Sequence, residues 1–211
     1  MPLVTVVIAC HGDGKDLPVM LGCLANQREY HAGKCSRTGN EVLWCAGPPC
    51  KLPIHAIACW DGELPPPDRL AYGSFGFDIV ECPKEGGVGH HTRQPGIEAV
   101  AGEWTVLTNM DNYFVQGWRH RIEGMLRPDH GIVYWNVLNN LWRWSNYNGT
   151  QLKRGHADLS CCAVRTEIAR AVGFPWRNYD GDWDYIEACV KEARKRRLKV
   201  VHIPETLSVH N

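Results

Sequence analysis

A chain of 211 residues that is 44% hydrophobic and 22% charged has enough apolar side chains for one core, and it carries no repeat or low-complexity tract, so disorder is excluded. Lysine plus arginine and aspartate plus glutamate number 23 each; no overall field gathers nucleic acid or an anionic membrane, and a partner must be recognised at a local site. No window approaches the roughly 18 apolar residues that cross a bilayer, and MPLVTVVIAC lacks a basic leader and cleavage pattern, so a cytoplasmic protein whose ten cysteines are free, mostly buried thiols is expected.

Leu3 to Cys10 is a β-branched run suited to a buried parallel strand, broken by His11-Gly12-Asp13-Gly14 before a helical pattern through Val19, Leu21, Leu24 and Ala25. A second run, Ile54 to Trp60, ends at Asp61-Gly62; a third, Phe77 to Val80, leads into the glycine-rich loop 85–89. Gln94 to Ala101 suits a helix, Trp104 to Leu107 a strand, Phe114 to Leu126 a helix and Gly131 to Tyr134 a strand. The last third predicts a strand over Leu159 to Val164, helices over Thr166 to Val172 and Trp183 to Arg196, a strand over Leu198 to Ile203, and a tail ending in Val209-His210-Asn211. Two insertions, Arg28 to Pro53 and Asn136 to Lys153, read as long loops.

This βαβαβ alternation predicts an α/β fold, a three-layer sandwich with a mostly parallel central sheet. Ligands in such sheets bind beyond the carboxyl ends of the strands, where His11 to Asp13, Asp61 and Asp111 fall.

Six segments, in order, resemble the family-2 glycosyltransferases and their GT-A fold, the fold of the nucleotide-diphospho-sugar transferases. Val4 to His11 looks like the opening strand, Ala58 to Glu63 like the acidic turn of the second strand, and Thr92-Arg93-Gln94-Pro95-Gly96-Ile97 like the Ala-Arg-Asn-x-Gly-Ile segment. Val106 to Asn112 occupies the position of the Asp-x-Asp motif, with Asn109 in the first place and Asp111 in the last. Tyr179 to Tyr185 resembles the acidic segment that supplies the catalytic base, and Ile203 to His210 the closing segment.

The resemblance covers nearly the whole chain and implies a single domain, 1–211, with a nucleotide-sugar-binding half over 1–112 and an acceptor and catalytic half over 113–211. It implies transfer of a hexose-like sugar from a nucleotide-diphosphate donor, UDP by family habit, to an acceptor hydroxyl with inversion. The implied donor-binding set is Ala9, His11, Asp61, Arg93, Asn109 and Met110; the metal ligands are Asp111 and His210; the base is Asp182; the acceptor side is Trp142, Trp144, His156 and Trp183.

The chemistry gives these residue types reasons of their own. Breaking a bond to a diphosphate requires stabilisation of the leaving charge, commonly by Mn2+ or Mg2+ on oxygen ligands. Asp111 suits that task, whereas Asn109 offers only a neutral carbonyl oxygen. The acceptor hydroxyl needs a carboxylate to take its proton. Asp182 could do so, or could cap the helix that starts near Trp183, with Asp180 and Asp184 as neighbours. Asp61 could instead be a turn residue, Arg93 a solvated surface arginine, and His210 an exposed terminal histidine.

His31, Cys35, Cys45 and Cys50 are zinc-ligand types, but separations of 3, 9 and 4 residues give no two tight pairs, so the insertion is expected to be reduced and metal-free. His90 and His91 beside the glycine loop could touch phosphate or merely be exposed. Arg194 to Arg197, with Lys191 and Lys199, could meet a phosphate backbone or complement a helix C-terminus. Trp142, Trp144 and Tyr147 could stack on sugar faces or bases, or cover the core. A saccharide or other small hydroxyl compound is therefore the expected acceptor. A nucleic acid with a hydroxylated base competes with it, and a non-catalytic nucleotide-sugar or glycan binder is the reading that Asn109 motivates.

Overall fold

A computed structural model describes residues 3–25, 27–34, 41–61, 76–83, 90–139, 151–175 and 181–210, with 28–34, 41–49 and 139 described by their backbone. The first strand, β1 (Val4–Cys10), is buried at all seven positions. Apolar residues pack against both of its faces, which is why it reads as a continuous apolar run rather than an alternating one. Helix α1 (Leu17–Ala25) follows. Strands β4 (Ile54–Trp60) and β6 (Trp104–Asn109) flank β1 in parallel, and β5 (Gly76–Glu81) extends the sheet beyond β4.

The second half adds β7 (Tyr113–Phe114), β8 (His130–Asn139), β9 (Cys162–Arg165) and β10 (Lys199–His210), giving one eight-stranded sheet of order β5-β4-β1-β6-β9-β8-β10-β7. The β6–β9, β9–β8 and β10–β7 pairings are antiparallel and the rest parallel, so the sheet is mixed but mostly parallel. Helices cover both faces. Val4, Val6 and Ile8 join a cluster with Leu17, Met20 and Leu21 of α1 and with Trp118 and Ile122 of α3 (Trp118–Glu123). Val7, pointing the other way, joins Ile97 of α2 (His90–Ala99), Ile168 of α4 (Thr166–Val172) and Ile186 of α5 (Gly181–Lys195).

Several elements differ from the pattern read in the sequence. The insertion over Arg28 to Pro53 is not a plain loop: β2 (Arg28–Lys34) and β3 (Glu41–Pro49) pair antiparallel as a separate ribbon. The run from Leu159 opens as a 3-10 turn, Leu159–Cys161, because the Asp158 carboxylate accepts the Ser160 N–H at 2.8 Å and closes the turn before the strand begins. The run from Phe114 to Leu126 yields only six helical residues, since its start is held in β7 and Gly117 turns the chain at φ 83°. The expected C-terminal tail is also sheet, with His210 the last residue of β10.

The eight cysteines whose side chains are described, Cys10, Cys23, Cys50, Cys59, Cys82, Cys161, Cys162 and Cys189, are free thiols, and six are buried. No helix among the described residues is long and apolar enough to cross a membrane.

Gly96 sets how closely α2 approaches the sheet. A Cβ there would lie 2.3 Å from Val7 Cγ1 and 2.5 Å from Cys59 Sγ, both fixed in the core. Gly96→Ala is therefore expected to lower the unfolding free energy by about 1–3 kcal/mol through overpacking, read as a reduced denaturant midpoint at an unchanged slope.

Candidate active site

The carboxyl ends of β4, β1 and β6 lie side by side and turn on one another's backbone. Asp61 N–H donates to the Cys10 carbonyl at 3.1 Å, and Met110 N–H to the Ala9 carbonyl at 3.1 Å. Ala9 and Met110 are buried, so they offer this edge their backbone, while His11 is exposed beside it. The chain then turns at Asn109–Asn112, with Asn112 N–H donating to the Asn109 carbonyl at 3.3 Å, and enters β7. Because β7 pairs with Ser208 and Val209 of β10, the turn bearing Asp111 is drawn to the end of the strand that carries His210.

Beneath that meeting point Trp135 Nε1 donates to Ser208 Oγ at 3.1 Å and Ser160 Oγ donates to Ser208 Oγ at 3.3 Å, tying β8, β10 and the 3-10 turn together. Asp158, at the head of the turn, thereby meets His210: its Oδ2 lies 3.1 Å from Nδ1. Burial pushes the Asp158 carboxyl upward, but His210 and the Ser160 N–H outweigh it and hold the group below its ordinary value. The same contact raises His210, against its own burial, and Asp111 and Asp182 add to the rise. The charges of three carboxylates thus act on one imidazole, with Asp158 in direct contact with it. With Nδ1 turned to Asp158, Nε2 is the nitrogen left to face a ligand.

On the opposite side stands Arg93 of α2, 1% exposed, which excludes the solvated surface arginine. Its Nη2 donates to Asn109 Oδ1 at 2.6 Å, its Nη1 lies 3.7 Å from Asp182 Oδ1, and its guanidinium sits 5.1 Å over the Phe174 ring. Burial works against the charge on Arg93, and Asp182 and Asp158 support it. His90 Nε2 lies 3.6 Å from the same Asp182 oxygen. His91 and Asp61 form a buried pair at 3.0 Å, so neither histidine of the glycine loop is merely exposed.

Asp182 lies in the first turn of α5 rather than ahead of it. Gly181 makes this position attainable: a Cβ there would lie 2.7 Å from His90 Nδ1 and 3.0 Å from the Pro175 carbonyl. Burial pushes the Asp182 carboxyl up to about 6, opposed by Arg93 and His210 and assisted by Asp158. Its side chain is nonetheless 33% exposed, so an incoming molecule can reach it.

Among the described residues, buried side-chain oxygens without a hydrogen bond include Asp61 Oδ1, Asp111 Oδ1 and Asp182 Oδ1. Buried acceptors are ordinarily paired, and unpaired ones after β4 and β6 and in the first turn of α5 fit a site made for a cation or donor groups of a ligand. An all-oxygen and imidazole set suits Mn2+ or Mg2+. Asp111, Asp182, His210, Asp61, Arg93 and Asn109 are therefore brought to one edge of the sheet. Asp158 is the member that sequence reasoning missed; its only signal was an acidic residue just before an apolar run, which also describes any turn cap.

Of the expected acceptor residues, Trp142 and Trp144, with Tyr147, lie outside the described residues, as do the loop 85–89 and Asp180. His156 is half-buried, and Trp183 packs partly against the core cluster of α2, α4 and α5. Asp184 is held at 2.8 Å by Arg154 and lines, with Gln94, Phe174 and Pro175, a cleft of about 410 Å3.

No protein-family model matches this chain, and no curated protein sequence does. Solved structures do resemble it. S. aureus TarS 1-349 matches over 100% of this chain and 60% of its own, with a TM-score of 0.63 at 10% identity. The same protein in complex with UDP-GlcNAc gives 0.61 at 10% identity over 100% and 58%. The mannosyltransferase PcManGT from Pyrobaculum calidifontis, in complex with GDP-Man and Mn2+, gives 0.60 at 15% identity over 99% and 56%. The chain spans under two thirds of the length of each. At such identities the likeness is one of fold: a mixed α/β fold that these proteins share.

The raised carboxyl of Asp182 carries a sign for stability. Ionised Asp182 is disfavoured in the folded chain, so its contribution falls as pH rises from the ordinary value of 3.8 through about 6. Asp182→Asn, which mimics the protonated form, is expected to match the metal-free wild type near pH 4 and to melt a few degrees above it at pH 7.5, read by thermal unfolding across pH.

Proposed function

We propose that this chain is a metal-dependent glycosyltransferase that moves a sugar from a nucleotide diphosphate, UDP in the first instance, to an acceptor hydroxyl with inversion. The observation that carries the reading is the convergence of Asp111, Asp158, Asp182 and His210 at the carboxyl edge of the sheet, opposite the buried Arg93. The likeness in fold to TarS with UDP-GlcNAc and to PcManGT with GDP-Man and Mn2+ supports the donor class and the choice of Mn2+.

Residues 1–112 hold the donor in this reading and residues 113–211 carry the acceptor and the base. Asp61, oriented by His91, faces the nucleoside, with His11 and the Ala9 and Met110 backbone beside it. Asp111 and His210 Nε2 hold the cation, while Asp158 orients the imidazole, the arrangement in which a carboxylate fixes the tautomer of a metal-ligating histidine. The cation, when bound, neutralises charge on the leaving diphosphate. Asp182 takes the acceptor proton: a carboxyl held near 6 is mostly ionised at neutral pH and more basic than an ordinary aspartate. Arg93 keeps it turned toward the edge of the sheet and adds a positive charge there.

Asn109 also acquires a reason. Its neutral carbonyl serves Arg93, leaving the guanidinium's charge for Asp182, whereas an aspartate in its place would compete for that charge. This weakens the case for a non-catalytic binder. The acceptor is proposed to be a saccharide, with Trp142, Trp144, His156 and Trp183 on its side of the site. Against a nucleic acid, Lys191, Lys195, Arg196 and Lys199 of the basic cluster each pair with an acidic neighbour, which spends the field that a phosphate backbone would need.

Hydrolysis of UDP-sugars and GDP-sugars, with Mn2+ against chelator, tests the activity: metal-dependent turnover of at least one donor is expected, and none from any donor would overturn the reading. Asp182→Asn is expected to keep donor binding and lower turnover by at least about 100-fold, the usual scale of general-base loss. Asp111→Ala should instead weaken donor binding in Mn2+ by about 10-fold or more, and unchanged affinity by calorimetry would move the cation elsewhere.

A further inference from the structure

Away from this site, on the face of the sheet covered by α1 and α3, three ligand-type side chains meet. The Cys50 thiol, a His120 ring nitrogen and a Glu123 carboxylate oxygen all lie within 4.8 Å of one another. His120 and Glu123 sit three apart on α3, the spacing that puts two side chains on one helix face. Cys50, 9% exposed, comes from the chain just past the β2–β3 ribbon, and its thiol donates to Glu123 Oε2 at 3.7 Å.

The backbone that presents them is fixed without any metal. Cys50 N–H donates to the Gln27 carbonyl at 3.2 Å, Gln27 Oε1 accepts the Arg119 N–H at 3.4 Å, and the Arg119 side chain donates to the Leu52 carbonyl. The two ends of the ribbon are thus joined to each other and to α3 beside the three ligands. Such pre-organisation lowers the ordering cost of binding.

We propose that Cys50, His120 and Glu123 bind a zinc ion that staples the base of the β2–β3 ribbon to α3. One thiolate, one neutral imidazole and one carboxylate form the mixed sulfur, nitrogen and oxygen set that zinc accepts; three protein ligands leave a fourth, tetrahedral position for water. The thiolate selects against Mn2+ and Mg2+, which prefer oxygen. Two negative ligands balance the dication, and the thiol releases its proton to solvent as the sulfur–zinc bond forms. Of His31, Cys35, Cys45 and Cys50, for which the sequence suggested no pairing, Cys50 is the one whose side chain is described, and its partners here lie some 70 residues further along the chain.

The test is zinc binding by the full chain after metal stripping and dialysis against Zn2+, read by elemental analysis and competition with a chromogenic chelator. Stoichiometric zinc is expected in the wild type and in Asp111→Ala. His120→Ala, at an exposed position and with its unfolding transition measured alongside, should weaken affinity by at least about 10-fold. Co2+ in place of zinc should give a sulfur-to-cobalt charge-transfer absorption that Cys50→Ser removes. No bound zinc, affinity unchanged in His120→Ala, zinc lost only in Asp111→Ala, or a cobalt spectrum without the sulfur band would each overturn the proposal.

Discussion

Three aspartates gathered around one histidine and one arginine cannot all keep their charge in a poorly hydrated place unless each finds a counter-charge, and this constraint organises the carboxyl edge of the sheet. Asp158 finds His210, and the two shift in opposite directions in consequence. Asp182 finds Arg93 only at 3.7 Å, too far for a hydrogen bond, and its burial leaves the carboxyl near 6. Asp111 retains a buried oxygen with no hydrogen bond. A cation between them would relieve the mutual repulsion of the acids, whereas apolar packing could not, since a buried unpaired carboxylate costs several kcal/mol.

The fold supplies these groups from segments that are distant in the chain. Asp111 follows β6, Asp158 heads the 3-10 turn before β9, Asp182 opens α5 and His210 ends β10. The short β7 is what draws the first to the last, because two residues of antiparallel pairing place the turn after β6 against the end of β10. Glycines set the remaining distances. Gly96 lets α2, and with it Arg93, settle on β1 and β4, and Gly181 lets the first turn of α5 lie against His90.

Much of this is legible in the sequence where one strand or turn determines the outcome. The buried parallel strand at Val4–Cys10 and the strand at Ile54–Trp60 follow from β-branched runs stopped by turn residues, and the polar residues at their ends fall where parallel sheets bind ligands. What the sequence hides depends on contacts between distant segments. Nothing local distinguishes Asp158 as the partner of His210 from Asp158 as a turn cap, and the structure has it do both. The burial of Arg93 likewise depends on Phe174 and Asn109, far from it along the chain. The late start of the helix after Phe114 reflects a pairing with β10 that local propensity does not encode.

The account stands or falls on whether Asp111 and His210 hold a divalent cation beside the donor. Nitrogen-15 spectra of the histidine side chains, recorded as Mn2+ is titrated in the presence of UDP, address this directly, since a paramagnetic ion broadens resonances close to it. The His210 imidazole should broaden first and at the lowest Mn2+, with Nε2 as the metallated nitrogen and Nδ1 still protonated toward Asp158. A His210 signal that stays sharp while another histidine broadens would contradict the account.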